Sequence, residues 1–224
     1  MHNMHSGWSR MLISTVMSEI ENKRRPIPVL KEENEVNIAN RGIFEDLNFM
    51  IDYAEGYKKL YIKIFEDFSK YKLNETSSVR DRGDDLPSLY GKIKLYAHIK
   101  NSLMEMIKII DENERAYAFQ KDIFLLIILL HDIGKSHALC ADYAIDLKME
   151  HCERSAAYFK KIVAEEDDNF QLDETSFNII YTTVYMHHKF VNEETKYLKI
   201  LKQADSSARN KELEELEALR EEIK

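Results

Sequence analysis

The stretch that most limits what this chain can fold into runs from Phe124 to Lys135. Seven consecutive apolar residues, Phe124 to Leu130, end on an adjacent His131-Asp132 pair, followed by Ile133, Gly134 and Lys135. A bilayer needs roughly 20 apolar residues in a row, so this run reads as the most buried helix of a water-soluble core. Delivering an imidazole and a carboxylate to the end of such a helix is costly unless they are paired or bound to a metal. Two explanations are open at this point. His131 and Asp132 could satisfy each other at a helix end that Gly134 terminates, or they could be part of a ligand set completed from elsewhere in the chain.

The remainder of the sequence predicts helices on both sides. Met11–Lys23 carries apolar residues at helical spacing, and the two prolines in Arg24–Leu30 then force extended backbone. A longer helical pattern runs from Ile43 to about Tyr71, with Gly56 as a point of interruption. Asn74–Pro87 is polar and reads as a loop or boundary. Ser88–Ile110 follows, with Leu95, Ile99, Leu103, Met106 and Ile110 on one stripe and His98 at its edge. Ala116–Leu130 is the buried helix, and Lys148–Val163 has His151 near its start. Glu165–Thr175 is an acidic loop. Ser176–Lys189 ends in His187-His188, Tyr197–Ala208 surrounds Asp205, and Lys211–Lys224 is a charged amphipathic helix. Only 6 Gly and 3 Pro in 224 residues, and no hairpin signal, make the expected fold class all-α.

Charge narrows the partners. The 32 Lys+Arg against 40 Asp+Glu leave a net charge of -8, which disfavours nucleic acid as a partner, since broad duplex binding rests on phosphate neutralisation. A small phosphorylated substrate held by a metal and one or two cations stays compatible with that charge. Cys140 and Cys152 form no disulfide framework and suit a reducing compartment. Met1–Met17, broken by His, Asn, Ser and Arg, does not read as a signal peptide, and no membrane segment is expected. The expected location is cytoplasmic.

The groups that need a reason to be where they are come in a fixed order: His98, His131-Asp132, His151, His187-His188 and Asp205. Tyr96-Ala97-His98, Leu129-Leu130-His131-Asp132-Ile133-Gly134-Lys135 and Gln203-Ala204-Asp205-Ser206-Ser207-Ala208-Arg209 resemble the HD superfamily of metal-dependent phosphohydrolases. Glu150-His151 and Tyr185-Met186-His187-His188 resemble the additional histidines of members that hold two metals. The resemblance covers about Ser88 to Arg209. It implies an HD-domain helical bundle at 88–209; the helical patterns outside it read as a helical N-terminal extension at 1–87 and a charged C-terminal helix at 210–224.

The resemblance also implies the chemistry. His98, His131, Asp132, His151, His187 and Asp205 become the expected metal ligands, with Asp132 able to touch both ions. Imidazole with carboxylate suits a divalent transition metal, one or two ions of Mn, Fe, Co, Ni or Zn, with Mg a further option. Family resemblance favours His187 over His188 as the ligand, although a helical wheel puts His188 nearer the middle of the apolar stripe. Asp132 and Lys135 are the expected catalytic residues. Lys135, Arg209 and His188 are the expected contacts to substrate, though Arg209 could instead pair with a carboxylate such as Glu212. The expected activity is hydrolysis of a phosphomonoester or phosphodiester, a nucleotide above all, by a metal-activated water. The rival is a regulatory or scaffold HD module, relaxase-associated domains included, that binds metal without significant turnover. Lys189-Phe190-Val191 after the paired histidines departs from the Gly-Tyr-Pro-bearing branch that degrades cyclic di-GMP. No nucleotide-synthesising partner domain is present, which weakens an alarmone-hydrolase reading. The native substrate and the oligomeric state are open.

Overall fold

Helices account for every regular element among the described residues, which are 42–77, 93–165, 170 and 172–222 in a computed structural model, with side chains described as far as 218. They are α1 (Ile43–Met50), α2 (Lys58–Tyr71), α3 (Leu95–Glu112), α4 (Lys121–Leu130), α5 (His137–Asp142), α6 (His151–Glu165), α7 (Glu174–Met186) and α8 (Lys196–Glu222). Tight 3-10 turns lie at Glu55–Tyr57, Ala118–Gln120 and Ile133–Lys135, and a single helical turn at Glu114–Tyr117. The fold is all-α. The expected Met11–Lys23 helix, the extended Arg24–Leu30 segment and most of the Asn74–Pro87 loop fall outside the described residues. The described part of 1–87, residues 42–77, belongs to the same compact unit as α3 to α8, Gly42–Lys224.

The apolar run builds the centre. Every side chain from Phe124 to Leu130 is fully buried, and a helix that is apolar all round has no face to offer water. Accordingly α4 packs against α3, α6, α7 and α8. Each such side chain contributes about 1.5–3 kcal/mol of transfer free energy. Among the described residues no helix is long and apolar enough to cross a membrane.

Two boundaries differ from the sequence expectation. The pattern from Ile43 to Tyr71 is not one helix, because Ile51 and Ala54 are extended and the backbone N–H of Ala54 turns to the Asp122 carboxylate. The expected Ala116–Leu130 helix begins only at Lys121, after the turn at Ala118–Gln120. The two C-terminal helices, by contrast, are a single helix, α8. Nothing in Arg209-Asn210-Lys211 breaks a helix: there is no Gly or Pro, and Asn costs only a few tenths of a kcal/mol to about 0.7 kcal/mol there.

A left-handed turn directs the chain towards the centre of the molecule. Lys72 and Leu73 have φ of 57° and 41°, which costs on the order of 1–2 kcal/mol for each side-chain-bearing residue. Full burial of Leu73 offsets that cost. The turn lays Glu75–Ser77 beside the start of α3: Leu95 N–H donates to Glu75 O at 2.7 Å and Ser77 N–H to Ile93 O at 2.9 Å, with an isolated antiparallel bridge between Thr76 and Lys94.

Candidate metal centre

Each group the sequence singled out arrives from a different helix, and the structure brings them together around Asp132. α3 carries His98, which is fully buried within the stripe rather than at its edge. α4 ends by delivering His131 and Asp132. α6 starts at His151, α7 is capped by His187, and α8 carries Asp205 in its third turn. His151 Nε2 and His187 Nε2 lie 3.4 and 3.6 Å from one Asp132 oxygen, Oδ1. His98 Nε2 and His131 Nε2 both lie 3.6 Å from the other, Oδ2. Asp205 Oδ1 sits 2.9 Å from His98 Nε2 and 3.8 Å from His131 Nε2.

The turn that makes this possible is held by α6. Gly134 N–H donates to Ser155 Oγ at 2.9 Å, and Ser155 Oγ donates to His131 O at 3.0 Å. Arg154 Nε donates to Gly134 O at 2.7 Å. A Cβ on Gly134 would meet His151 O at 2.2 Å and Ser155 N at 2.6 Å. Glycine is therefore required by the close approach of two backbones, and not as the left-handed stop residue that the sequence suggested.

The histidines are oriented from behind. His131 Nδ1 contacts Ile128 O at 2.6 Å and His187 Nδ1 contacts Val184 O at 2.7 Å. A carbonyl can only accept, so Nδ1 carries the hydrogen in both, and a neutral ring then points its Nε2 lone pair inwards. Burial pushes His131 down to about 4 and lowers His151 as well. Burial alone would raise Asp132, but Lys135, His131 and the other imidazoles around it hold the carboxyl well below its usual range. His98 is the exception. Burial opposes its charge, yet Asp205 on one side and Glu212 on the other outweigh that and raise its pKa.

These shifts give the metal-free fold a pH dependence. His131 is neutral when folded but titrates near 6.5 when unfolded, so its contribution to stability is complete above pH 6.5 and is lost as pH falls through about 4. The lowered Asp132 and Asp205 act in the same direction at lower pH, and the raised His98 acts against them. Chelator-treated protein is therefore expected to be less stable at pH 5 than at pH 7.5, by about 2 kcal/mol from His131 before the His98 offset. Urea melts at the two pH values measure this, and equal or greater stability at pH 5 would contradict the assignment.

Whether these residues suit a metal can be judged from the atoms left over. His131 Nε2, Asp132 Oδ1, His151 Nε2, His187 Nε2 and Asp205 Oδ1 are all buried without a hydrogen-bond partner. A buried polar atom left unpaired costs about 1–3 kcal/mol, and a cation on either side of Asp132 would satisfy these nitrogens and carboxylate oxygens together. Two groups have ligand atoms within 4.8 Å of one another: His98, His131 and Asp132; and Asp132, His151, His187 and His188. Asp132 belongs to both. The donors are imidazole nitrogen and carboxylate oxygen with no thiolate, a set that suits borderline divalent ions.

The family model of the HD domain matches residues 97–210, just over half of the chain. The chain belongs to the HD-domain family. HD domains bind divalent metals, and this one has the histidines and aspartates to do so. No curated protein and no solved structure is matched.

The paired histidines and the two cations of this HD domain meet the sequence expectation in part. His187 is buried and faces Asp132, whereas His188 is exposed, its ring packed 4.0 Å from that of His187 and 4.7 Å from that of His151. The wheel favoured His188 because it assumed a helix that continues, but α7 ends at Met186. Lys135 is neither solvated nor free: its Nζ donates to Asp132 Oδ2 at 2.5 Å and to Ser77 O at 2.7 Å. Arg209 donates from Nη1 to Ser77 Oγ at 2.7 Å and from Nη2 to Ser77 O at 3.0 Å, and lies 3.4 Å from Glu212. Ser77 carries no expectation from the sequence, and Glu212, expected only as a partner of Arg209, also stands behind His98. A loop serine gives no signal. Glu212, seven residues after Asp205, falls on the same face of an unbroken helix, and splitting α8 in two hid that register.

Proposed function

We propose that this HD domain is a divalent-metal-dependent phosphohydrolase acting on a phosphomonoester or phosphodiester, a nucleotide in particular. The observation that carries the reading is the cluster of five buried ligand atoms without a hydrogen-bond partner, Asp132 Oδ1 among them, with two cationic side chains at its edge. His98, His131, Asp132 and Asp205 would hold one ion, and Asp132, His151 and His187 a second. Bound ions supply Lewis acidity, which activates water near neutral pH and neutralises phosphate oxygens. The chain's own residues supply the rest. Asp132 offers one oxygen to each histidine pair, the Ile128 and Val184 carbonyls hold two imidazoles in the ligating tautomer, and Lys135 and Arg209 offer a point charge and a fork for the outer phosphate oxygens. His188 lies exposed at the rim, within reach of an entering substrate. Two buried free thiols, Cys140 and Cys152, suit the cytoplasmic setting read from the sequence.

One observation favours the rival reading, a metal-binding module without turnover. Lys135 and Arg209 already donate to Ser77, whose carbonyl and hydroxyl compete with a phosphate for these donors. The deciding experiment loads metal-stripped protein with Mn, Co or Ni and measures release of phosphate or alcohol from p-nitrophenyl phosphate, its diester and a nucleotide panel. Metal-dependent turnover that vanishes with chelator is the expected result. Stoichiometric metal binding with no hydrolysis of any substrate would establish the module instead.

A further inference from the structure

Three of the four histidines that face Asp132 are held from behind, and not alike. His131 and His187 lean on neutral carbonyls, but His98 leans on a carboxylate: Glu212 Oε1 and Oε2 lie 3.0 and 3.2 Å from its Nδ1. Glu212 is only 3% exposed, and water does not solvate it. Asn101 Nδ2 donates to Oε1 at 3.0 Å and Arg209 Nη1 to Oε2 at 3.4 Å. Asn101 stands one turn after His98 on α3, and Glu212 two turns after Asp205 on α8, so the contact joins the two helices that pack most closely along the centre.

Charge follows the same asymmetry. The His98–His131 side has Asp205 and Glu212 in addition to the shared Asp132. Arg209, 3.9 Å from Asp205 and 3.4 Å from Glu212, cancels one of these two charges and leaves the other. In the group of His151, His187 and His188 the shared Asp132 is the one carboxylate that offers a ligand atom among the described residues. Lys135 acts on Asp132, and so on both sides. A charged acceptor behind an imidazole makes a hydrogen bond roughly twice as strong as a neutral one and raises the basicity of the ligating nitrogen.

We propose that Glu212 is a positioning residue that makes the His98–His131–Asp132–Asp205 side the tighter of two metal subsites, so that the first divalent ion enters there and the second occupies the side of His151 and His187. The proposal rests on the metal-centre reading above, and its test separates the two. Metal-stripped protein is titrated with Co(II), following heat and visible absorption. The parent is expected to bind in two steps of unequal affinity. Glu212→Gln keeps the side chain's size and removes its charge, and is expected to weaken the tight step about 10–100-fold while leaving the weak step in place. Equal weakening of both steps, or of neither, in a variant that melts like the parent overturns the proposal and leaves the metal centre standing. A parent that binds no Co(II) overturns the metal centre itself. Should Glu212→Gln fail to fold, His151→Ala decides: the first equivalent binds as in the parent if the order is right, and its loss means that the order is wrong.

Discussion

Asp132→Ala is expected to bind neither ion and to lose at least about a thousandfold in phosphoester turnover, while keeping its helix content. Asp132 is the one residue common to both ligand groups, with one oxygen facing His151 and His187 and the other facing His98 and His131. Four kcal/mol of lost transition-state stabilisation is about a thousandfold in rate, and metal-borne charge stabilisation is several kcal/mol. The helices do not depend on Asp132, because the centre is framed by α4, whose burial is apolar. Elemental analysis, turnover and far-UV circular dichroism on one preparation measure all three quantities. Turnover at the parent rate would remove Asp132 from the centre.

The second large effect comes from a residue with no side chain. Gly134→Ala puts a methyl group 2.2 Å from His151 O, 2.6 Å from Ser155 N and 2.8 Å from Arg154 Cβ, all in the first turns of α6. Backbone cannot step aside as a flexible side chain can, so α6 has to move away from the turn that holds Asp132. Overpacking costs about 1–3 kcal/mol and sometimes more, and near 3 kcal/mol in a domain of this size corresponds to a melting temperature roughly 6–12 °C lower. Because α6 begins at His151, the second ion is expected to weaken more than the first. A thermal melt with a metal titration measures both effects. A variant that melts within a degree of the parent would mean that the turn and α6 are looser than they stand.

What could be read from the sequence follows from the strength of each local signal. Seven apolar residues ending on His131-Asp132 left few alternatives to a central helix, and α4 is that helix. His98 could be picked out only through its place in an ordered set, because the stripe of α3 would accept an apolar residue there equally well. Boundaries were harder. The break at Ile51–Ala54 depends on Asp122, far along the chain, accepting from a backbone N–H that a helix would otherwise have used. The join at Arg209–Lys211 was missed for the opposite reason: a change in composition marked a boundary where no residue breaks a helix. The split left Glu212 legible as a partner of Arg209 but not as the carboxylate behind His98. Ser77 had no signal in the sequence, since its role comes from a left-handed turn at Lys72 and Leu73 that neither residue type advertises.

The continuity of α8 also bears on how the protein is made. Synthesis releases the chain from its N-terminal end, and the earlier segments reach folding conditions first. A nascent chain extending through α7 already has His98, His131, Asp132, His151 and His187, but neither Asp205 nor Glu212. At that stage His98 has Asp132 before its Nε2 but no carboxylate behind its Nδ1, and α4 lacks one of the helices that cover it. The ion that we assign to the tighter subsite can therefore be captured securely only after α8 has left the ribosome and lain down along α3. Secure capture at that subsite is then timed by α8 rather than by the earlier helices that carry the His-Asp pair.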